Sequence, residues 1–406
     1  MFNELKKKKI RDWCFFDFGI SAYPTLILTF FYGAFYAKKI ALTPEIGTSN
    51  WGFAISIASI VSFLTFLIIL VSGKSYFESI KTSFFFKFFI TLILSTSFLY
   101  FFNEQSNEFL PLIFIIISLV SFEVINLFYN LSLHRVTDKN KEGLISNLGW
   151  AFGYLGGLVS LILIFTLLQL TKDQDYKIFE TSVFLFIGPF VGLWTLVFGL
   201  FHFKNFSDAT FAIPDVVGFL KNIQKTKILG FLVSYFFFNN AVISIFAFAS
   251  MFASFLFGLK ESEILFLGVF INLFGILGCL ILGSYEDKIS SEKIVLICIL
   301  GLLINTSLLF FIKNYFLFWI ISLTIGFFIG PIQAASRTII VKKIRAKNQL
   351  SAFCAFAMFG NICAILGPFM VGLVIDMTGS IRYGLVVIPL FFLLSLGFFN
   401  SFRVNV

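Results

Sequence analysis

The sequence predicts an all-α integral membrane protein: twelve transmembrane helices in two pseudo-symmetric six-helix halves. Three observations carry this. Hydrophobic residues make up 59% of the 406 positions and charged residues only 13%, with a mean hydropathy of +0.97; a water-soluble chain could not hide that much apolar surface. The apolar residues fall in runs long enough to cross a bilayer, which takes roughly 20 residues each. The basic residues gather in alternate connections between those runs.

Taken in order, the predicted spans are 14–37, 51–72, 84–102, 109–131, 145–168 and 183–203, then 228–255, 262–284, 294–312, 315–336, 350–375 and 383–402. The first follows the basic stretch MFNELKKKKIRDW. Its apolar run, Phe15 to Ala37, exceeds the ~7–15 residues of a signal-peptide core and is expected to stay as helix 1. It carries Asp17 among phenylalanines, and Pro24. Helix 2 leads into SGKSYFESIK, where GKS lacks the upstream glycine of a phosphate loop because Ile68 stands there. Helices 3 and 4 are parted only by NEQSNE, and helix 4 contains Glu123. Helix 5 carries Gly149, Gly153 and Gly157, a small-residue row that lets another helix approach closely. Gly188-Pro189, Gly330-Pro331 and Gly367-Pro368 permit bends in helices 6, 10 and 11. The polar connector 204–227 separates an N-terminal half, 1–203, from a C-terminal half, 228–406.

With the N-terminus inside, the inside segments hold most of the lysines and arginines, from Lys6–Lys9 to Arg403. The outside keeps only Lys38, Lys39, Lys172, Lys177, Lys260, Lys313 and Arg382. This predicts both termini in the cytoplasm and a multi-pass protein of the cell's inner membrane. The net charge of +9 is therefore topological. It forms no basic face with interleaved aromatics, so nucleic acid is not an expected partner. Two histidines are too few for a metal site, no cofactor motif is present, and the five cysteines lie in or beside apolar runs as small hydrophobes. No nucleophile, base and orienter appear together on a soluble domain, so no enzyme is expected.

The halves echo each other. WCFFDFGIS (13–21) aligns with FFFNNAVIS (236–244), matching Asp17 with Asn240 and Ser21 with Ser244. WAFGY (150–154) aligns with AMFGN (357–361). These fit two parallel repeats.

Charge inside a membrane is costly and usually functional. Asp17, Ser21 and Thr25 share one helix face at i, i+4 spacing. Asp17 either caps the N-terminus of helix 1 or lines the inner cavity and pairs with Arg337 as a gate. Glu123 lies deep in helix 4 with Asn126 and Asn130 near its face. It is either a proton carrier or a neutral acid bonded to a neighbouring helix. The glycine row of helix 5 is read as packing.

The stretch GSYEDKISSEK, from Gly283 to Lys293, is similar to the loop G-x-x-x-D-[RK]-x-G-x-[RK]-[RK] of the major facilitator superfamily. Gly283, Asp287, Lys288 and Lys293 fit, and Ser290 stands where glycine is usual. This loop is expected between helices 8 and 9, with Asp287 capping a helix end and pairing with a basic residue across the seam between the halves, or else as an ordinary charged turn. DWCFFDFGISAYPTLILTFFYGAFYA resembles the W-x-x-Y-D-W-A-N-S-A opening of the vacuolar amino-acid effluxers, the autophagy-related permeases and their bacterial relatives. LFYN (127–130), SNLGWAFGYLGG (146–157), FFFNNAV (236–242) and PIQAASRT (331–338) are similar to further motifs of that family. Asn240 departs from the family's acid.

The resemblance implies a major facilitator fold and a secondary transporter working by alternating access. Its helices 1, 4, 7 and 10 would line a central site, with Asp17, Ser21, Thr25, Glu123, Asn126, Asn130, Asn239, Asn240, Gln333 and Arg337 on the substrate and ion pathway. The substrate it implies is an amino acid; the depth of Glu123 in helix 4, separately, leads us to expect protons coupled through it. Expected partners are the lipid bilayer, a small-molecule substrate and protons, and the expected state is a monomer. A lipid or hydrophobic-drug exporter of the same fold is the rival reading, and a non-transporting membrane sensor or scaffold the third.

Overall fold

The computed structural model describes residues 2–71, 80–103, 106–138, 140–171, 177–178, 181–206, 209–211, 221 and 228–403. The GKS stretch at 73–75, most of the 72–81 loop and most of the 204–227 connector lie outside them. Among the described residues, twelve helices are long and apolar enough to cross a membrane. They are Lys8–Ile40, Pro44–Val71, Thr82–Phe101, Phe109–Val136, Glu142–Leu170 and Val183–Lys204, then Ile228–Phe257, Glu263–Ile289, Ser291–Phe311, Tyr315–Lys343, Ala346–Thr378 and Ile381–Asn400. They are numbered helices 1 to 12. An even number of crossings puts both chain ends at the same end of the bundle, called here the terminal end.

Many helices run past the apolar runs that predict them. Helix 2 starts at Pro44, whose fixed φ suits a first helical turn. Helix 10 continues to Lys343, where basic residues complement the negative end of the helix dipole. The largest difference lies between helices 8 and 9. No loop from Gly283 to Lys293 exists. Helix 8 is helical to Ile289, helix 9 starts at Ser291, and Ser290 alone turns the corner with φ +97°. Gly283, Asp287 and Lys288 therefore stand on a helix. A serine in this left-handed region is strained by roughly 1 kcal/mol, and its hydroxyl accepts only a long bond from the Lys293 amide, 3.4 Å. Ser290→Gly is expected to raise the apparent melting temperature by about 1–2 °C, read by thermal unfolding in detergent; a lower value would show that the hydroxyl matters more than the strain.

Helix 1 is not one regular helix. It is α-helical from Lys8 to Ile20, then wound as a π-helix over Tyr23–Phe30, bent at Phe31, and wide again over Tyr36–Ile40. Pro24 lacks an amide hydrogen and disturbs the ladder where the winding changes. The Thr29 hydroxyl donates to the Pro24 carbonyl at 2.9 Å.

Packing repeats between the halves. Helix 1 packs on 5 and 6, helix 3 on 4 and 6, and helix 2 on 4; helix 7 packs on 11 and 12, helix 9 on 10 and 12, and helix 8 on 10. Between the halves, helix 5 meets 8 and 10, and helix 11 meets 2 and 4. Each contact has its counterpart under exchange of the halves, as a pseudo-twofold axis requires. Apolar side chains such as Ile57, Ile68, Leu193 and Phe270 face outward, which suits lipid. Other phenylalanines are internal: Phe16, Phe128, Phe203 and Phe206 surround His202, whose Nε2 shares a 3.0 Å hydrogen bond with Ser132. All five cysteines are free and buried.

Outside the bundle, a short antiparallel pair joins Ile80–Lys81 to Thr210–Phe211. This ties the start of the connector to the N-terminal half. At the N-terminus, Lys141 donates to Glu4 at 2.6 Å and holds that carboxyl below its usual range, while Lys7 reaches Asp138.

Candidate functional site

Helix 1 begins at Lys8, so Asp17 lies nine residues inside it, about 14 Å along the axis. It does not cap the helix. Its carboxylate accepts from the Ser21 hydroxyl at 3.3 Å, and the Thr25 hydroxyl donates to the Ser21 carbonyl at 2.8 Å. This polar face looks at the glycine row of helix 5. A Cβ on Gly153 would sit 2.9 Å from Asp17 Oδ1, and one on Gly157 2.6 Å from Thr25 Oγ1. A Cβ on Gly149 would strike the Tyr129 hydroxyl at 2.2 Å and the Trp13 ring at 2.5 Å. The three glycines thus do more than let two helices touch. They make the room in which Asp17, Ser21, Thr25, Trp13 and Tyr129 stand.

Arg337 is only 3% exposed although it belongs to helix 10 of the other half. Its guanidinium donates to Ser146 Oγ (3.0 Å), to the Ser146 carbonyl (2.8 Å) and to Asn130 Oδ1 (3.2 Å). It also lies 4.9 Å from the Trp13 ring centre and 4.8 Å from that of Tyr129. Those two rings stack at 4.3 Å, and the Trp13 indole donates to the Tyr129 carbonyl. Asp17 feels the guanidinium's charge but forms no direct ion pair with it within 4 Å among the described residues. Arg337 is thus a plug, inserted from the C-terminal half into a socket of the N-terminal half. Trp13, Tyr129 and Ser146 were not singled out in the sequence, since nothing local marks them as partners of a residue in the other half, 191 positions from Ser146 and further from the other two.

A second tie lies closer to the terminal end. Asp287 accepts from the backbone amides of Gly143 (3.0 Å) and Leu144 (2.8 Å) and from Lys342 Nζ (2.7 Å). It caps helix 5 of the opposite half. The crossing contact goes to backbone amides, while the basic partner, Lys342, belongs to the same half as Asp287. Gly283 lets helix 8 approach Asn147, which a Cβ would meet at 2.3 Å. Lys288 lies over the Tyr285 ring at 5.6 Å, and Lys293 gives only its amide to Ser290. Glu286, also overlooked in the sequence, is fully buried; the Asn147 amide and the Ser291 hydroxyl donate to its two oxygens. Asp287→Ala removes the cap and the ion pair. It is expected to weaken closure of this end by about 1–2 kcal/mol, seen as faster labelling of a cysteine placed at Leu144; unchanged labelling would deny Asp287 that role.

Further in, at mid-helix 4, Glu123 is half-buried and accepts no hydrogen bond from the described residues. It faces Tyr23 of helix 1 and Tyr235 of helix 7. The Tyr23 hydroxyl is bonded to Ser118 at 2.7 Å, and the Tyr235 ring stacks on Phe356 at 3.8 Å. Asn126, three residues on in the same helix, is also half-buried. Gln333 donates to Asn239 at 3.0 Å, joining helices 10 and 7. Asn240 stands apart. It is fully buried, its amide bonded to the Phe236 carbonyl (2.7 Å) and Cys363 Sγ (3.1 Å). It fills the helix 7–11 seam, as Asp17 fills the 1–5 seam, in keeping with the repeat.

The family described as "Vacuole effluxer Atg22 like" matches residues 45–406. The chain belongs to this family. A relative from Bacillus subtilis (strain 168), named an uncharacterized MFS-type transporter, YxiO, is 22% identical over 387 residues, covering 92% of this chain and 90% of that protein. Autophagy-related protein 22 of Kluyveromyces lactis is 22% identical over 297 residues, covering 65% of this chain and 59% of the yeast protein. Among solved structures, FucP in its outward conformation superposes with a TM-score of 0.74 at 13% identity, over 97% of this chain and 98% of that one. A bacterial homologue of ferroportin in an outward-facing state gives 0.72 at 12%, over 98% and 99%. At such identities the likeness shows the fold, which is that of the major facilitator superfamily. This Atg22-like chain is thus a multi-pass membrane transporter of that superfamily.

Proposed function

We propose that this Atg22-like protein moves an amino acid across the membrane by alternating access, coupled to protons through Glu123. In this reading the terminal end is the cytoplasmic one, which the lysine and arginine distribution supports. The observation that carries the reading is the Arg337 plug. Trp13, Tyr129, Asn130 and Ser146 hold it from the other half, and Asp287 adds a second tie below. Both ties lie on the terminal side of Glu123, so the central acid is shut off from that end. The two superfamily structures described as outward share this overall arrangement of helices. Rocking the halves would pull the plug and expose the centre to the other side.

The test is flux from proteoliposomes loaded with labelled amino acids, with and without an imposed pH gradient. Gradient-dependent movement of one or a few is expected, with the gradient dependence lost in Glu123→Gln. Glu123→Gln carrying solute with unchanged gradient dependence would remove the proton role. No movement of any amino acid by folded protein would remove the substrate. The half-buried Phe236, Phe237 and Phe359 on helices 7 and 11 would then direct the search to hydrophobic drugs and lipids.

A further inference from the structure

The chemistry around Glu123 decides more than proton coupling. No hydrogen bond from the described residues reaches its carboxylate, and three cations of helix 10 are committed elsewhere. Arg337 is spent on Ser146 and Asn130, Lys342 on Asp287 and Lys343 on Glu292. The titratable side chains that face Glu123 are Tyr23 from helix 1 and Tyr235 from helix 7, neither of which carries positive charge. Helices 2, 3 and 11 also pack on helix 4, but their acids and bases, Glu45, Lys87, Lys347 and Asp376, lie towards their ends, and Cys354 and Cys363 supply only thiols. A bare carboxylate at mid-membrane without a counter-charge is costly. Two things can neutralise it: a proton, or a cationic group brought by the solute.

We propose that Glu123 is a single site shared by the proton and the ammonium group of the solute, so that the protein is an obligatory exchanger. This rests on the amino-acid reading above for the identity of the solute. One carboxylate cannot hold both cations. Binding therefore runs as Glu123–COOH plus R–NH3+ giving the Glu123 carboxylate–ammonium pair plus one proton, released to the side from which the solute entered. On the other side a proton takes the carboxylate back and the solute leaves. The doubly empty state keeps a naked charge and crosses poorly, which ties the two fluxes in opposite directions. With a proton gradient directed into the cell, the solute moves out. The solute's carboxylate gains nothing from Arg337, whose guanidinium is buried in its socket on Ser146 and Asn130. Recognition therefore falls on the ammonium group, and the Tyr235 hydroxyl, which carries no hydrogen bond to the described residues, offers a second polar contact.

The test uses the full chain in nanodiscs with three probes: L-phenylalanine, phenethylamine (the same body without the carboxylate) and 3-phenylpropanoate (without the amine). Phenylalanine binding is expected to release about one proton in weakly buffered solution, and its affinity to fall up to tenfold per pH unit on acidification. Phenethylamine should displace labelled phenylalanine, and 3-phenylpropanoate should not. Glu123→Gln should abolish proton release, and Glu123→Asp should keep it, which separates a charge role from a folding defect. Phenylalanine binding without proton release, or with proton uptake, overturns the proposal, as does displacement by 3-phenylpropanoate but not by phenethylamine. If no amino acid binds but phenethylamine does with proton release, the amino-acid reading fails and the shared site stands. If folded protein binds neither, both fall.

Discussion

Arg337→Ala is expected to unlock the terminal end of the bundle. The substitution removes three hydrogen bonds donated by one charged group and two contacts with aromatic faces. Charged hydrogen bonds contribute about 1.5–3 kcal/mol each, though not additively. A shift of ~3 kcal/mol against the closed arrangement is roughly a hundredfold in the equilibrium between the two states. Spin labels at the exposed positions Lys81 and Lys347, one in each half, should then report a longer distance and a broader distribution than in the unsubstituted protein. Flux should fall at least tenfold, because a transporter that cannot close one side cannot complete its cycle. Arg337→Lys should rescue little. A lysine ammonium cannot reproduce the planar fork that reaches Ser146 and Asn130 at once while lying against Trp13 and Tyr129. Label distances unchanged in Arg337→Ala would mean that the Asp287 cap alone holds this end.

Gly156→Ala is expected to be the most damaging conservative change in helix 5. Its Cβ would sit 2.0 Å from the Phe18 carbonyl oxygen and 2.7 Å from the Phe18 carbonyl carbon. Both partners are backbone and neither can rotate away, so helices 1 and 5 must part. Overpacking of this kind costs about 1–3 kcal/mol, and more where the backbone itself is struck. Loss of monodisperse protein in size-exclusion chromatography is the expected readout. Gly278→Ala should behave alike, since its Cβ would lie 1.8 Å from the Phe327 carbonyl oxygen at the contact of helices 8 and 10. Gly153→Ala supplies the contrast. Its Cβ meets only the ends of the Asp17 and Ser21 side chains, at 2.9 and 3.0 Å, which can turn aside. That variant should fold and lose activity instead, because Asp17 moves. Normal folding of Gly156→Ala would show that the two helices have slack.

The glycine row shows where sequence reasoning stops. Gly149, Gly153 and Gly157 were legible because their spacing is helical and small residues at that spacing mean close approach. The tightest contact belongs to Gly156, outside the row, because which glycine meets backbone depends on how the partner helix is rotated. Asp17 shows the same division. Its residue type and its depth in an apolar run announced a special group, but whether it capped helix 1 depended on where that helix begins. The helix starts at Lys8, nine residues before Asp17. Asn240 was legible as the counterpart of Asp17, while the groups that hold it, the Phe236 carbonyl and Cys363 Sγ, were not.

By itself the sequence determined the membrane as solvent, the twelve crossings, the division into two halves and the family, because hydropathy, charge placement and motif spacing are local properties of the chain. Only the tertiary structure decided that Arg337 is a plug held by Trp13, Tyr129, Asn130 and Ser146, that Asp287 caps a helix of the opposite half, and that Glu123 has no hydrogen-bond partner among the described residues. Those facts concern which groups meet across a seam between halves far apart in the chain. Burial and pairing at such a seam are set by helix rotation and approach, to within a fraction of an ångström, and no periodicity within one helix encodes them.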